Sequence, residues 1–167
     1  DASVWTSAPH HAHGRPENGA TVRLRGDSVP FTSTRPIAIE RTRCTVKGEP
    51  LTARRMKTGD MAIVRVRVQA RQRVKDGLIV DRVPAGLEVE NLNLTQGTQA
   101  SDYKVQDVNI AVAMRDARIK HREYRDDRFV VAADLDARVL DVFYLVRVVT
   151  PGRYVVPAPF AEDMYRP

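Results

Sequence analysis

Val64-Arg65-Val66-Arg67-Val68-Gln69-Ala70-Arg71 alternates strictly between apolar and polar residues. In an extended chain successive side chains point to opposite faces, so Val64, Val66, Val68 and Ala70 share one face. Arg65, Arg67, Gln69 and Arg71 share the other. One face buried and one solvated is the pattern of a strand in an antiparallel sheet. Gly59-Asp60 before this run and Lys75-Asp76-Gly77 after it supply the turns such a sheet needs.

Further strands flank it. Ile37 to Val46 places Ile37, Ile39, Arg41 and Arg43 on one side and Cys44 and Val46 on the other, an imperfect alternation that predicts a bulge or a change of face. Lys47-Gly48-Glu49 reads as a turn. Leu78 to Val83 forms a strand stopped by Pro84 and Gly86, and Leu87-Glu88-Val89-Glu90 a short continuation. Three more strands are expected over 119–125, 128–135 and 138–149, the second with Phe129, Val131, Ala133 and Leu135 on one face. A Pro151-Gly152 turn separates the last of these from Arg153-Tyr154-Val155-Val156 and a short apolar-aromatic end. Asn91 to Ser101 reads as a loop. Val105, Val108, Ile110, Val112 and Ala113 carry partial helical spacing across Gln106–Met114, with Asp102 as N-cap. Val108, Ile110 and Val112 also alternate, so a strand competes with the preferred helix. The expected fold is mostly β: an antiparallel β-sandwich with one short helix.

At 167 residues the chain suits one domain with an extension. Ser7 to Gly19 is rich in breakers, Thr21-Val22-Arg23-Leu24-Arg25 reads as one short strand, and Pro30 and Pro36 bracket an irregular piece. The boundary is placed near Arg35, with 1–35 a linker or the end of a preceding β domain and 36–167 the compact domain. No apolar run approaches the ~20 residues that span a bilayer, and no signal peptide opens the chain. The start at Asp1 without methionine points to a fragment of something longer.

Chemistry is sparse. Cys44 is the only cysteine, which excludes an internal disulfide and a cysteine-cluster metal site. It lies in a strand, where burial raises a thiol pKa and makes it inert. His10, His11 and His13 are the one metal-like constellation, but they sit on a breaker-rich segment and read as adventitious. His121 lies in a charged strand and is expected to face solvent. No Gly-x-Ser-x-Gly elbow, Walker loop or Gly-x-Gly-x-x-Gly turn is present. Asp126-Asp127 and Glu162-Asp163 are adjacent pairs whose side chains diverge on a strand, so neither forms a natural dyad. Neither an enzyme nor a cofactor site is expected.

A net charge of +6 leaves binding of single-stranded nucleic acid as the rival from another class. Arg65, Arg67 and Arg71 line one strand face, preceded by Arg54, Arg55 and Lys57, and such a groove also needs aromatics on which bases stack. Tyr103, Tyr124, Phe129, Phe143, Tyr144 and Tyr154 stand mostly where packing would use them, so nucleic acid is not the favoured partner. The mixed charges Arg125, Asp126, Asp127 and Arg128 form a candidate interaction surface; their blander reading is a solvated strand edge and turn.

Several separated motifs occur in order from Pro36 to Pro167. They are Gly59-Asp60 before the Val-rich strand, Val80-Asp81-Arg82-Val83-Pro84-Ala85-Gly86-Leu87-Glu88-Val89-Glu90-Asn91, Tyr124-Arg125-Asp126-Asp127-Arg128-Phe129, Thr150-Pro151-Gly152 and Met164-Tyr165. In these the chain resembles the C-terminal macroglobulin-like, receptor-binding-like domain of bacterial alpha-2-macroglobulins. The resemblance implies a non-catalytic β-sandwich in a periplasmic protein, often a lipoprotein of the inner membrane, that traps proteases as a defence. It implies a parent with a protease bait region and, in one branch, a Cys-Gln thioester in a helical domain; Cys44 stands in no Cys-x-x-Gln motif. A thioester-less branch would make this a partner-binding scaffold domain. Met164 and Tyr165 are implied to lie against the neighbouring thioester-type domain and shield that bond. Expected partners are the neighbouring domains, target proteases through the full-length protein, and other periplasmic proteins.

Overall fold

A computed structural model describes residues 21–25, 36–51, 55–90 and 103–165. In chain order the strands are β1 (Thr21–Arg25), β2 (Ile37–Thr45), β3 (Arg55–Lys57), β4 (Met61–Ala70), β5 (Val74–Arg82), β6 (Leu87–Glu90), β7 (Lys104–Val105) and β8 (Val108–Asn109). Helix α1 (Ile110–Ala113) follows, then β9 (Ile119–Arg125), β10 (Arg128–Leu135), β11 (Leu140–Val148), β12 (Gly152–Val155) and β13 (Phe160–Asp163).

Two antiparallel four-stranded sheets carry the core, one in the order β2-β4-β11-β6 and the other β13-β5-β10-β9. The alternation read from the sequence sets their contact. Val66 pairs with Val142 and Val64 with Tyr144, which puts all four on the inner face of the first sheet. Phe129 and Val131 of β10 answer from the second sheet, where Val131 pairs with Ile79 of β5. All of these side chains are buried in one continuous cluster. The sandwich expected from strand spacing is the fold observed.

The outer face of the first sheet is also covered, which the alternation did not foretell. Arg65 pairs with Phe143 and Ile63 with Leu145 on that face. The described part of the excursion between β6 and β9, residues 103–114, lies over them. Its Val105, Ile110 and Met114 are buried, and the backbone N–H of Phe143 donates to Met114 Sδ at 3.2 Å. A strand buried on both faces loses its polar side, and the unbroken burial from Val142 to Val146 follows from this. The expectation of a solvated Arg65 is therefore corrected: the side chain is buried.

The excursion itself departs from the expected helix over 106–114. Gln106 and Asp107 both take positive φ, 48° and 65°, between β7 and β8, the two-residue turn of a tight hairpin. Helix survives only as Ile110–Ala113, where Asn109 Oδ1 accepts from the Val112 N–H at 3.1 Å. Asn109 thus caps it; Asp102, the expected cap, lies outside the described residues. Gly48, with φ +85°, lets the excursion approach: a Cβ there would sit 1.9 Å from the Lys104 carbonyl oxygen.

Of the bulge or change of face expected in β2, the change of face is what occurs. Pairing with β4 runs unbroken from Ile37↔Ala70 to Thr45↔Ala62. What changes is which face carries the apolar load. Ile37 and Ile39 give way to Arg41 and Arg43 on the inner side, while Cys44 is buried on the outer side. A small third sheet, β12-β1-β3, adds β1 parallel to β12, with Val22 opposite Gly152, and antiparallel to β3.

Candidate functional site

The chain's final described segment is built as an edge. After β12, residues 156–159 make no strand, as two prolines require, and β13 then pairs antiparallel with β5 from Phe160↔Val80 to Asp163↔Gly77. The Met164 N–H donates to the Asp76 carbonyl at 3.3 Å, and the Tyr165 N–H to Asp163 Oδ1 at 3.0 Å. Beyond these bonds the side chains leave the body: Met164 is 43% and Tyr165 76% exposed. Phe160 on the same edge is 37% exposed. Met164 and Tyr165 therefore lie together on an accessible apolar end. Sequence reading missed β13 because Phe160-Ala161-Glu162-Asp163 carries no β-branched residue and no alternation.

Beneath this edge lies a buried ionic cluster that sequence reading also missed. Arg41 Nη1 donates to Asp81 Oδ1 at 2.5 Å, Tyr144 Oη donates to Asp81 Oδ2 at 2.6 Å, and Arg41 Nη2 donates to the Pro157 carbonyl at 2.7 Å. Asp81 is wholly inaccessible and Arg41 nearly so. Burial pushes the Asp81 carboxyl above its ordinary range, while the Arg41 guanidinium and the Tyr144 hydroxyl pull it back. Burial also pushes the Tyr144 phenol well up. The Tyr144 ring packs on Phe129 at 4.8 Å between centroids, tilted by 31°, and Phe129 lies 5.1 Å from Tyr124, so aromatic rings flank the cluster. Two signals were available. Arg41 continues the inward register of Ile37 and Ile39, and Asp81 interrupts an otherwise apolar strand.

Arg125, Asp126, Asp127 and Arg128 come together as the β9–β10 turn, with Arg125 opposite Arg128. Backbone bonds from the Val83 N–H to the Asp127 carbonyl at 2.9 Å and from the Val89 N–H to the Asp126 carbonyl at 3.2 Å tie this turn to the loop after β5 and to β6. Its charges pair within the hairpin. Arg128 lies 2.7 Å from Asp127, holding that carboxyl below the usual range, and Arg125 lies 2.7 Å from Glu123. Exposed pairs of this kind contribute ~0–1 kcal/mol each, so their value is shape and charge pattern at the surface.

The arginines of β4 do not form an open basic groove. Arg65 Nε donates to Asp141 at 2.7 Å and its Nη1 to Gln106 at 2.9 Å, with the guanidinium 5.8 Å from the Phe143 ring centroid. Arg67 pairs with Glu40 at 3.2 Å. Phe129, Phe143 and Tyr144 are in the core, unavailable for stacking on bases. Cys44 is buried and its thiol pushed up by that burial. His121 is exposed. His10, His11 and His13 lie outside the described residues, among which no group of three or more His, Cys, Asp or Glu is placed to hold a metal.

Two antiparallel sheets, an excursion over one outer face and an exposed terminal edge define a macroglobulin-like β-sandwich. Residues 37–167 match the family model of the bacterial alpha-2-macroglobulin MG10 domain, and the chain belongs to that family. It is 43% identical over 140 residues to the alpha-2-macroglobulin of Xylella fastidiosa (strain Temecula1 / ATCC 700964), a match covering 83% of this chain and 8% of that protein. The cryo-EM structure of the native conformation of Escherichia coli alpha-2-macroglobulin aligns with a TM-score of 0.70 at 40% identity, over 84% of this chain and 9% of that one. Escherichia coli alpha-2-macroglobulin activated by porcine elastase aligns with a TM-score of 0.71 at 40% identity, over 84% of this chain and 12% of that one. The chain thus spans a small part of the relatives it matches.

Proposed function

We propose that this domain is the non-catalytic C-terminal module of a periplasmic protease-trapping alpha-2-macroglobulin, and that it holds the parent's native state by docking Met164 and Tyr165 on a neighbouring domain. The observation that carries this reading is the exposed Met-Tyr pair at the end of an edge strand of a family-typical sandwich. A methionine adapts to an irregular pocket, and a tyrosine adds area with a polar tip. Burying both is worth roughly 2–4 kcal/mol by area, enough to bias a domain contact without making it permanent.

The Escherichia coli relative matches this fold in both its native and its elastase-activated form, with TM-scores of 0.70 and 0.71. Where the parent carries a Cys-Gln thioester in its helical domain, the Met-Tyr patch covers it from water; in a thioester-less parent the same patch pins the neighbouring domain. Proteases are engaged by the full-length protein, and the Arg125–Arg128 turn offers a charged surface to other periplasmic proteins.

The test adds this chain in trans to a parent truncated just before it. Calorimetry is expected to show saturable binding that a Met164→Ala/Tyr165→Ala chain loses. Absence of binding, or binding unchanged by the double substitution, overturns the reading.

A further inference from the structure

Arg41 makes two bonds of different kinds. Through Nη1 it joins β2 to β5, and so one sheet to the other. Through Nη2 it reaches the Pro157 carbonyl in the unpaired stretch leading to β13. That stretch has buried apolar anchors in Val156 and Pro159, but apolar packing carries little direction. β13 itself is a four-residue edge held to its sheet by β5 alone.

The geometry is over-determined at Arg41. Both carboxylate oxygens of Asp81 are occupied, one by Arg41 and one by Tyr144, so the carboxylate plane is locked. A guanidinium is planar and rigid, so with its stem anchored in β2 and Nη1 held on that carboxylate, the direction of Nη2 is set. Asp81 follows Val80, the residue opposite Phe160, so this bond and the β13 ladder converge at one place. We propose that Arg41 is a positioning residue for the C-terminal tail: locked by Asp81 and Tyr144, it holds the Pro157 carbonyl, and with it the start of β13, where Met164 and Tyr165 project correctly. What is positioned rests on the docking reading above; the positioning does not.

Arg41→Lys separates the two bonds. An ammonium retains the charge beside Asp81 but lacks the fork that reaches Pro157 at the same time. Hydrogen exchange of the 167-residue chain, read by mass spectrometry, should show peptides over β13 exchanging about tenfold faster relative to those over β10. Tyr144→Phe leaves the Pro157 bond in place but loosens Asp81 and so the lock on Arg41; it should raise the same ratio by a smaller factor, about threefold, and no rise at all removes Tyr144 from the lock. Equal acceleration of β13 and β10 in Arg41→Lys, or no acceleration, overturns the proposal. The unsubstituted chain gives an independent check should the variant fail to fold. Its β13 amides should be protected to within about tenfold of β10, and free fraying of β13 overturns the proposal. A loosened β13 in Arg41→Lys with docking unaffected by alanine at 164 and 165 would sink the docking reading and leave the positioning role standing.

Discussion

Replacing Asp81 with alanine removes the partner of a charge that has nowhere else to go. Arg41 is 4% exposed and among the described residues would keep only the Pro157 carbonyl, while the Tyr144 hydroxyl, in a side chain 1% exposed, would lose its Asp81 acceptor. Breaking a buried ion pair from one side costs about 3–5 kcal/mol, a large part of the ~5–15 kcal/mol that holds a domain together. The pair is nonetheless a poor source of net stability, because taking two charges out of water costs much of what their attraction returns; burial leaves the Asp81 carboxyl raised despite the pull of Arg41, Tyr144 and Arg43. Exchanging the whole cluster for apolar residues, as Arg41→Met/Asp81→Val/Tyr144→Phe, should therefore cost far less than the single change. We expect the triple variant within about 2 kcal/mol of the unsubstituted chain. Equilibrium urea unfolding measures both. A single variant losing under about 1 kcal/mol, or a triple variant at least as unstable as the single, would refute the reasoning.

Val66→Asp places a carboxylate at a fully buried position without a partner, and urea unfolding should show a loss of about 3–5 kcal/mol. Acid should destabilise the fold in a defined window. Asp136 is held at about 2, first by the hydrogen bond from the Arg138 side chain and then by the Arg138 backbone N–H. Asp116, Asp127 and Asp134 are likewise lowered, chiefly by Arg118, Arg128 and Lys120. Folded values below the unfolded ~3.9 mean a contribution fully present above about pH 4 and lost as pH falls toward 2. The urea midpoint followed from pH 5 to 2 should decline across that window, and Asp136→Asn should flatten the decline.

The strands most legible in the sequence were those with one apolar and one polar face. β4 and β10 stand close to where their alternation places them, and Phe129, Val131, Ala133 and Leu135 are all inside. Legibility failed where a residue's fate depends on distant chain. Arg65 looks solvated within β4, and only the excursion some forty residues later buries it. The excursion was misread because local spacing cannot report that Gln106 and Asp107 turn with positive φ. The candidate tail was legible as composition, Met164 beside Tyr165, but not as the end of an edge strand, since β5 supplies nearly all that makes β13 a strand. Arg41 and Asp81 were visible as polar residues at inward positions, and what they do appears only when the two sheets meet.

The docking claim is tested most directly in the full-length parent protein. Small-angle scattering should give a larger radius of gyration for Met164→Ala/Tyr165→Ala than for the unsubstituted protein before any protease is added, because the domain contact that holds the native state is lost. Where the parent carries a thioester, its spontaneous hydrolysis should accelerate in the same variant. An unchanged radius of gyration, with an unchanged hydrolysis rate where a thioester exists, would contradict the account.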